Sequence, residues 1–230
     1  NGKVCIVCDY GRPPFSIQVI PATAFALGTW QVQRRKWKLR LIEELSRKTE
    51  LPPVDLPESL SELDSMEYQR VRVVGSFDHS REVYVSPRSL IQPGEEEKQS
   101  GGLLSSAGHT GALVITPFKL SDRGVSILVN RGWVPRAKTH PESRAQGQIE
   151  GEVELTGIVR RPEKRPPLGP KQGNSGFFWH YKDIEGMARF CNVAPVLIDA
   201  DAASTVQGGP IGGQTKVTLR NEHFSYILTW

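Results

Sequence analysis

A succession of short apolar stretches with a period of two, each closed by a turn signal, runs from residue 68 to residue 220 and leaves few architectures open. From Tyr68 to Phe77, Val71, Val73, Gly75 and Phe77 alternate with Tyr68, Arg70 and Arg72, as a half-buried strand requires. Asp78-His-Ser then precedes Glu82 to Ser86, and this spacing predicts a hairpin. Leu113 to Leu120 and Val125 to Val134 form a second predicted hairpin around the turn Ser121-Asp-Arg-Gly124. Val153 to Arg161, Pro195 to Asp199 and Thr215 to Arg220 supply the remaining strands.

Two segments carry helical spacing instead. In Gln31 to Lys48, Trp37, Leu41, Ile42 and Leu45 make one apolar stripe, with Glu43 and Glu44 in reach of Arg47 and Lys48. In Asp183 to Asn192, Ile184, Met187, Ala188 and Cys191 point inward. Leu51-Pro-Pro-Val-Asp-Leu-Pro57 is an extended link. Ile91 to Gly111 and Arg160 to Gly176 read as exposed loops, the first tipped by Glu95-Glu-Glu-Lys98. There is no internal repeat and no βαβ alternation. The pattern predicts an α+β domain whose antiparallel sheet curls toward a barrel.

Function is narrowed mainly by exclusion. A net charge of +4 over 230 residues is too weak to imply nucleic acid. Of the three cysteines, Cys5 and Cys8 have metal-ligand spacing without further ligands nearby, and Cys191 stands alone, so no disulfide framework is expected. No phosphate loop, His-Glu-x-x-His or Gly-x-Ser-x-Gly is present, and no catalytic residue or metal site is assigned. Gly208-Gly-Pro-Ile-Gly-Gly213 could offer amides to an anion, but a tight turn is the simpler reading. Gly132, between Arg131 and Trp133 in a strand, marks a bulge or a close backbone approach. His79 and His109 fall in turns, His140 precedes a proline, and His180 sits in a predicted packed cluster, Phe177-Phe-Trp-His-Tyr181.

The ends of the chain have a different character. Residues 1–14 read as an atypical leader, foreign to the fold. Phe15 to Trp30 is uncharged but shorter than the roughly 20 apolar residues of a span, and it contains Gln18 and Pro21. Arg34, Arg35, Lys36, Lys38 and Arg40 follow it and suit either solvent or lipid phosphates. At the other end, Asn221 is a good helix N-cap, and His223, Tyr226 and Trp230 fall at i, i+3 and i+7 on one helical face. Tyr and Trp at the mouth of an apolar helix suit a membrane interface, so the chain reads as cut at the start of a span. An interfacial histidine is a functional candidate, and imidazole is a common axial ligand of haem iron.

Four blocks stand out: Leu27-Gly-Thr-Trp-Gln-Val-Gln-Arg-Arg-Lys-Trp37, Val129-Asn-Arg-Gly-Trp-Val-Pro135, Gly208-Gly-Pro-Ile-Gly-Gly-Gln214 and Arg220-Asn-Glu-His-Phe-Ser-Tyr-Ile-Leu-Thr-Trp230. In content and order they resemble the surfeit locus protein family of cytochrome c oxidase assembly factors. The resemblance implies a two-helix protein of the mitochondrial inner membrane. Residues 15–30 would be the distal part of its first membrane helix, and residues 221–230 the start of the second. Residues 31–220 would form a domain facing the intermembrane space, although the basic cluster alone favours the matrix side. It further implies a non-enzymatic role in maturing the catalytic core subunit of the oxidase, at haem a insertion, alongside other assembly factors. His223 would be the haem ligand and Tyr226 and Trp230 its neighbours. The alternative is a soluble β-barrel binding module, for example for single-stranded nucleic acid, using aromatics near basic residues as in Trp133-Val-Pro-Arg136.

Overall fold

A computed structural model describes residues 15–91, 110–163, 165 and 176–215. Helix α1, Phe15–Glu50, is one continuous helix of 36 residues, so the helix predicted from Gln31 begins sixteen residues earlier than its spacing indicated. Pro21 lies inside it. Its φ is helix-compatible, but its ring removes one intrahelical donor and crowds the carbonyl four residues back, so the helix continues through a locally costly position. Thr23 and Thr29 donate their hydroxyls back to the carbonyls of Val19 and Phe25, both at 2.9 Å. No helix among the described residues is long and apolar enough to cross a membrane. The first expected span is therefore not confirmed, and the second lies outside the described residues.

Residues from Glu44 to Val217 form a compact unit of their own. Its strands are β1 (Val54–Asp55), β2 (Arg70–Phe77), β3 (Val83–Ser89), β4 (Thr110–Leu120), β5 (Ser126–Pro135), β6 (Glu152–Arg160), β7 (Phe178–Trp179) and β8 (Leu197–Ala200). Their order is β1-β2-β6-β8-β5-β4-β3-β7, and a further pairing of β2 with β4 closes β2, β6, β8, β5 and β4 into a five-stranded barrel. The sheet is not wholly antiparallel as expected. A ring of five strands cannot alternate direction throughout, and the one failure falls between β5 and β8, which run parallel.

The predicted hairpin between β2 and β3 does not form. Gly75 to Phe77 pair with Phe118 to Leu120, while Val83 to Ser89 pair with Thr110 to Ile115, so both strands lie along one edge of the eleven-residue β4. Asp78 turns the corner: its side chain accepts from the Ser80 amide at 3.1 Å and starts a 3-10 turn rather than a two-residue reversal. The β4–β5 hairpin forms as predicted, with Gly124 at φ +63°. Strand β2 starts at Arg70 rather than Tyr68, because Tyr68 takes φ +68°.

Helix α2, Ile184–Cys191, agrees with its sequence pattern. Asp183 caps it through the Gly186 amide at 3.0 Å, and Asn192 ends it at φ +53°. Its buried face of Ile184, Met187, Ala188 and Cys191 packs with Leu128, while Ile127 and Val129 of the same strand join Val71, Val73 and Phe118 in the second core cluster. Strand β5 is thus buried on both faces. Phe77 is partly buried against that cluster, and Val159 lies within it.

Candidate functional site

The block Val129-Asn-Arg-Gly-Trp-Val-Pro135 organises the barrel. Val114 pairs with Gly132 and Ile115 with Asn130, which leaves Arg131 as the extra residue of a bulge. Gly132 takes φ +131°, and a Cβ there would overlap the Ile211 carbonyl and lie 2.7 Å from the Gly212 nitrogen. Trp133 and Ile211 exchange two backbone hydrogen bonds of 2.9 Å, so two of the four sequence blocks meet as neighbouring backbone. Turn-like bonding of the glycine-rich block follows the simpler reading. The amides of Gly209, Ile211, Gly212 and Gly213 donate to Val206, Trp133, Thr205 and Ala200.

The bulge aims Arg131 at a buried ionic cluster. Glu82, with a side chain 1% exposed, accepts from both terminal nitrogens of Arg144, from Thr116 Oγ1 at 3.3 Å and from the Tyr84 hydroxyl at 3.2 Å. Arg131 Nη1 stands 3.7 Å from it, and His79 Nδ1 is 3.1 Å away. His79 Nε2 donates to the Ile149 carbonyl at 2.8 Å, and Arg131 Nη2 donates to that of Gly147. Burial alone would raise the Glu82 pKa, but the hydrogen bonds from His79 and Arg144 and the charges of both arginines outweigh it and hold the carboxyl at about 2. Burial pulls the Arg131 guanidinium down to about 10, so it stays charged at neutral pH.

A second buried carboxylate holds the opposite side of β5. Asp199 accepts from Lys182 Nζ at 2.9 and 3.0 Å, from Asn130 Nδ2 at 2.8 Å and from Thr215 Oγ1 at 3.1 Å. Burial acts to raise its pKa, and Lys182 and Arg160 together lower it below the ordinary carboxylate range. Arg160 ends β6, as the strand predicted over Val153 to Arg161 has it, and it is not part of an exposed loop: its guanidinium lies 4.5 Å over the Tyr68 ring. Asn130 also accepts the Gly132 amide at 3.2 Å, so one side chain ties the bulge to β8.

Depressed carboxylates stabilise the fold above their unfolded-state pKa, and that stability is lost as pH falls through the folded value. For Glu82 the window runs from 4.5 down to about 2, and Asp199 acts in the same direction. Thermal melts should therefore give a nearly constant midpoint from neutral pH to about 5 and a steep decline below it. A midpoint held down to about pH 2 would contradict this account of the two clusters.

In both clusters the carboxylate is met by cations and donors from strands and loops distant in sequence, which ties those elements together. Open access exists beside the first cluster. A cleft of about 300 Å³ is lined by His79, Glu82, Tyr84, His140, Pro141 and Phe178, among others. The expected packing of Phe177-Phe-Trp-His-Tyr181 holds only for Trp179. Alternation along β7 turns the Trp179 indole inward and Phe178 outward; Phe177, just before the strand, is also about half exposed, and His180 is exposed. Cys5, Cys8, His109, His223, Tyr226 and Trp230 lie outside the described residues.

A sequence model of the SURF1 family matches residues 19–230. This chain belongs to the SURF1 family. The Surfeit locus protein 1 of Homo sapiens is 56% identical over 92% of this chain and 70% of its own length. That of Takifugu rubripes is 53% identical over 92% of this chain and 88% of its own. A SURF1-like protein of Drosophila melanogaster is 46% identical over 92% and 70%. In this SURF1-family chain the sequence reading missed Glu82, Arg144, Lys182 and Asp199. Their one local signal is a charged residue within or beside a stretch destined for burial. Their partners lie up to 69 positions away.

Proposed function

We propose that this chain is a cytochrome c oxidase assembly factor of the mitochondrial inner membrane. Its barrel would face the intermembrane space and assist the catalytic core subunit at haem a insertion, together with other assembly factors. The observation that carries this reading is the family match across residues 19–230. The barrel's chemistry fits a role of holding rather than turnover, since Glu82 and Asp199 are each enclosed by cations and donors. Membrane attachment is proposed through the two chain ends, by the resemblance of their motifs.

Haem, carried transiently, is the cofactor proposed. His79 does not suit it, because both ring nitrogens are engaged by Glu82 and the Ile149 carbonyl. By the resemblance of its motif, His223 is the proposed ligand, with Tyr226 and Trp230 covering the porphyrin face. Bound there, haem would gain an axial nitrogen at the membrane edge. The protein purified from cells supplied with haem a should show a haem absorbance that His223→Ala removes and Tyr226→Phe only weakens. Loss of an interfacial hydrogen bond costs about 1 kcal/mol, whereas loss of an axial ligand removes the iron bond itself. Equal haem content in parent and His223→Ala would end the assignment.

The nucleic-acid alternative loses its main cue in the structure. Trp133 is 5% exposed and donates its indole nitrogen to the Arg88 carbonyl at 2.9 Å, so it cannot stack on a base. Salt-sensitive binding of a single-stranded oligonucleotide would revive that reading.

A further inference from the structure

The exposed aromatics around the cleft have no part in the reading above. Phe178 stands outward on β7 with its ring 5.4 Å from that of Tyr84. Phe177 meets Phe190 of α2 edge-on at 5.4 Å. All three phenylalanines keep close to half their surface exposed, at 49%, 48% and 45% for Phe177, Phe178 and Phe190. The elements that carry them are anchored in the core, since Trp179 of β7 and Ile184 and Met187 of α2 belong to one buried cluster. Adjacent, rigidly held aromatic rings beside a concave cleft are the usual anchor of a protein interface.

Charge selects the occupant. Beneath the cleft, one carboxylate, Glu82, is set against two guanidiniums, Arg131 and Arg144, and the Nε of Arg144 is buried without a partner. In the segments that supply the cleft and the patch, Arg136, Lys138 and Arg189 are exposed cations, against exposed Glu142 and Glu185. The balance is positive in both layers. We propose that this cleft and its phenylalanine rim dock an acidic peptide segment of a partner protein. An apolar side chain of that segment would lie between Phe177 and Phe178, with flanking carboxylates over the basic side. This inference names a surface and a class of partner that the assembly reading does not supply, and it does not depend on haem.

The test uses the full chain in nanodiscs of neutral lipid, panned against a random-peptide display library. The enriched peptides should carry Phe, Leu or Trp beside Asp or Glu. A synthetic copy of the most enriched peptide should bind less tightly as ionic strength rises. Its affinity should fall about tenfold or more for the Phe177→Ser/Phe178→Ser variant and severalfold for Arg136→Ser/Lys138→Ser. Near-ultraviolet circular dichroism and an unchanged melting midpoint would show that the variants remain folded. Four results would overturn the proposal: no enrichment, enrichment of basic peptides, a peptide that binds the phenylalanine variant as well as the parent, or a patch that phosphatidylserine vesicles alone engage.

Discussion

Gly132→Glu is expected to remove the folded protein, with a destabilisation of about 4 kcal/mol or more. Three effects act together at this position. The backbone sits at φ +131°, which side chains other than glycine rarely adopt. A Cβ would occupy the space of the Ile211 carbonyl, so the strand-like bridge between Trp133 and Ile211 would have to part. A carboxylate would then be placed in a buried strand beside Asn130, which is already bonded to Asp199. Total stabilities of domains run to about 5–15 kcal/mol, so the loss approaches the whole. Gly132→Ala retains the first two effects and should itself be strongly destabilising. Steady-state abundance and a melting curve decide the matter. Normal abundance of either variant would mean that the bulge is not essential to the barrel.

Glu82→Gln should cost about 3–5 kcal/mol, because it strands the charges of Arg131 and Arg144 in the interior. The glutamine can accept only part of the bonds that the carboxylate accepts, and its amide group would face donors. The exposed Arg72–Asp55 pair, at 2.8 Å, provides the contrast. Its side chains are 49% and 79% exposed, so solvent screens the pair and Arg72→Ala should cost far less than Glu82→Gln. Chemical denaturation of the two variants side by side reads the difference. Equal effects would show that burial of the Glu82 cluster contributes nothing specific. The Glu82 variant should also show a flatter decline in stability below pH 4.5, since the group that titrates there is gone.

What could be read from the sequence was what local physics controls. The α2 helix followed from its apolar spacing and from Asp183 and Asn192 at its ends. The β4–β5 hairpin followed from Gly124 in a short turn, and the bulge from an isolated glycine in a strand. The failures in the sheet order are matters of distant pairing. Val83 to Ser89 follows β2 closely, yet its partner is β4, because the backbone groups of β2 are taken by β6 and the end of β4. The parallel contact of β5 with β8 is a property of the closed ring and has no local signature. Around Trp179 the sequence reads as a packed cluster, and which of its side chains meet the core depends on the pairing of β7 with β3 and on α2. In the candidate site, Gly132 announced itself and Glu82 did not, since its significance lies in Arg144 and Arg131, both remote in sequence.

The most direct test of the account is rescue in cells whose own SURF1-family gene has been deleted. Cytochrome c oxidase is resolved on native gels, and the introduced protein is quantified in the same mitochondria. The account predicts that the introduced protein restores assembled oxidase, and that Gly132→Glu fails to do so in step with its own disappearance. Normal accumulation of the parent protein in mitochondria with no gain in assembled oxidase would contradict it.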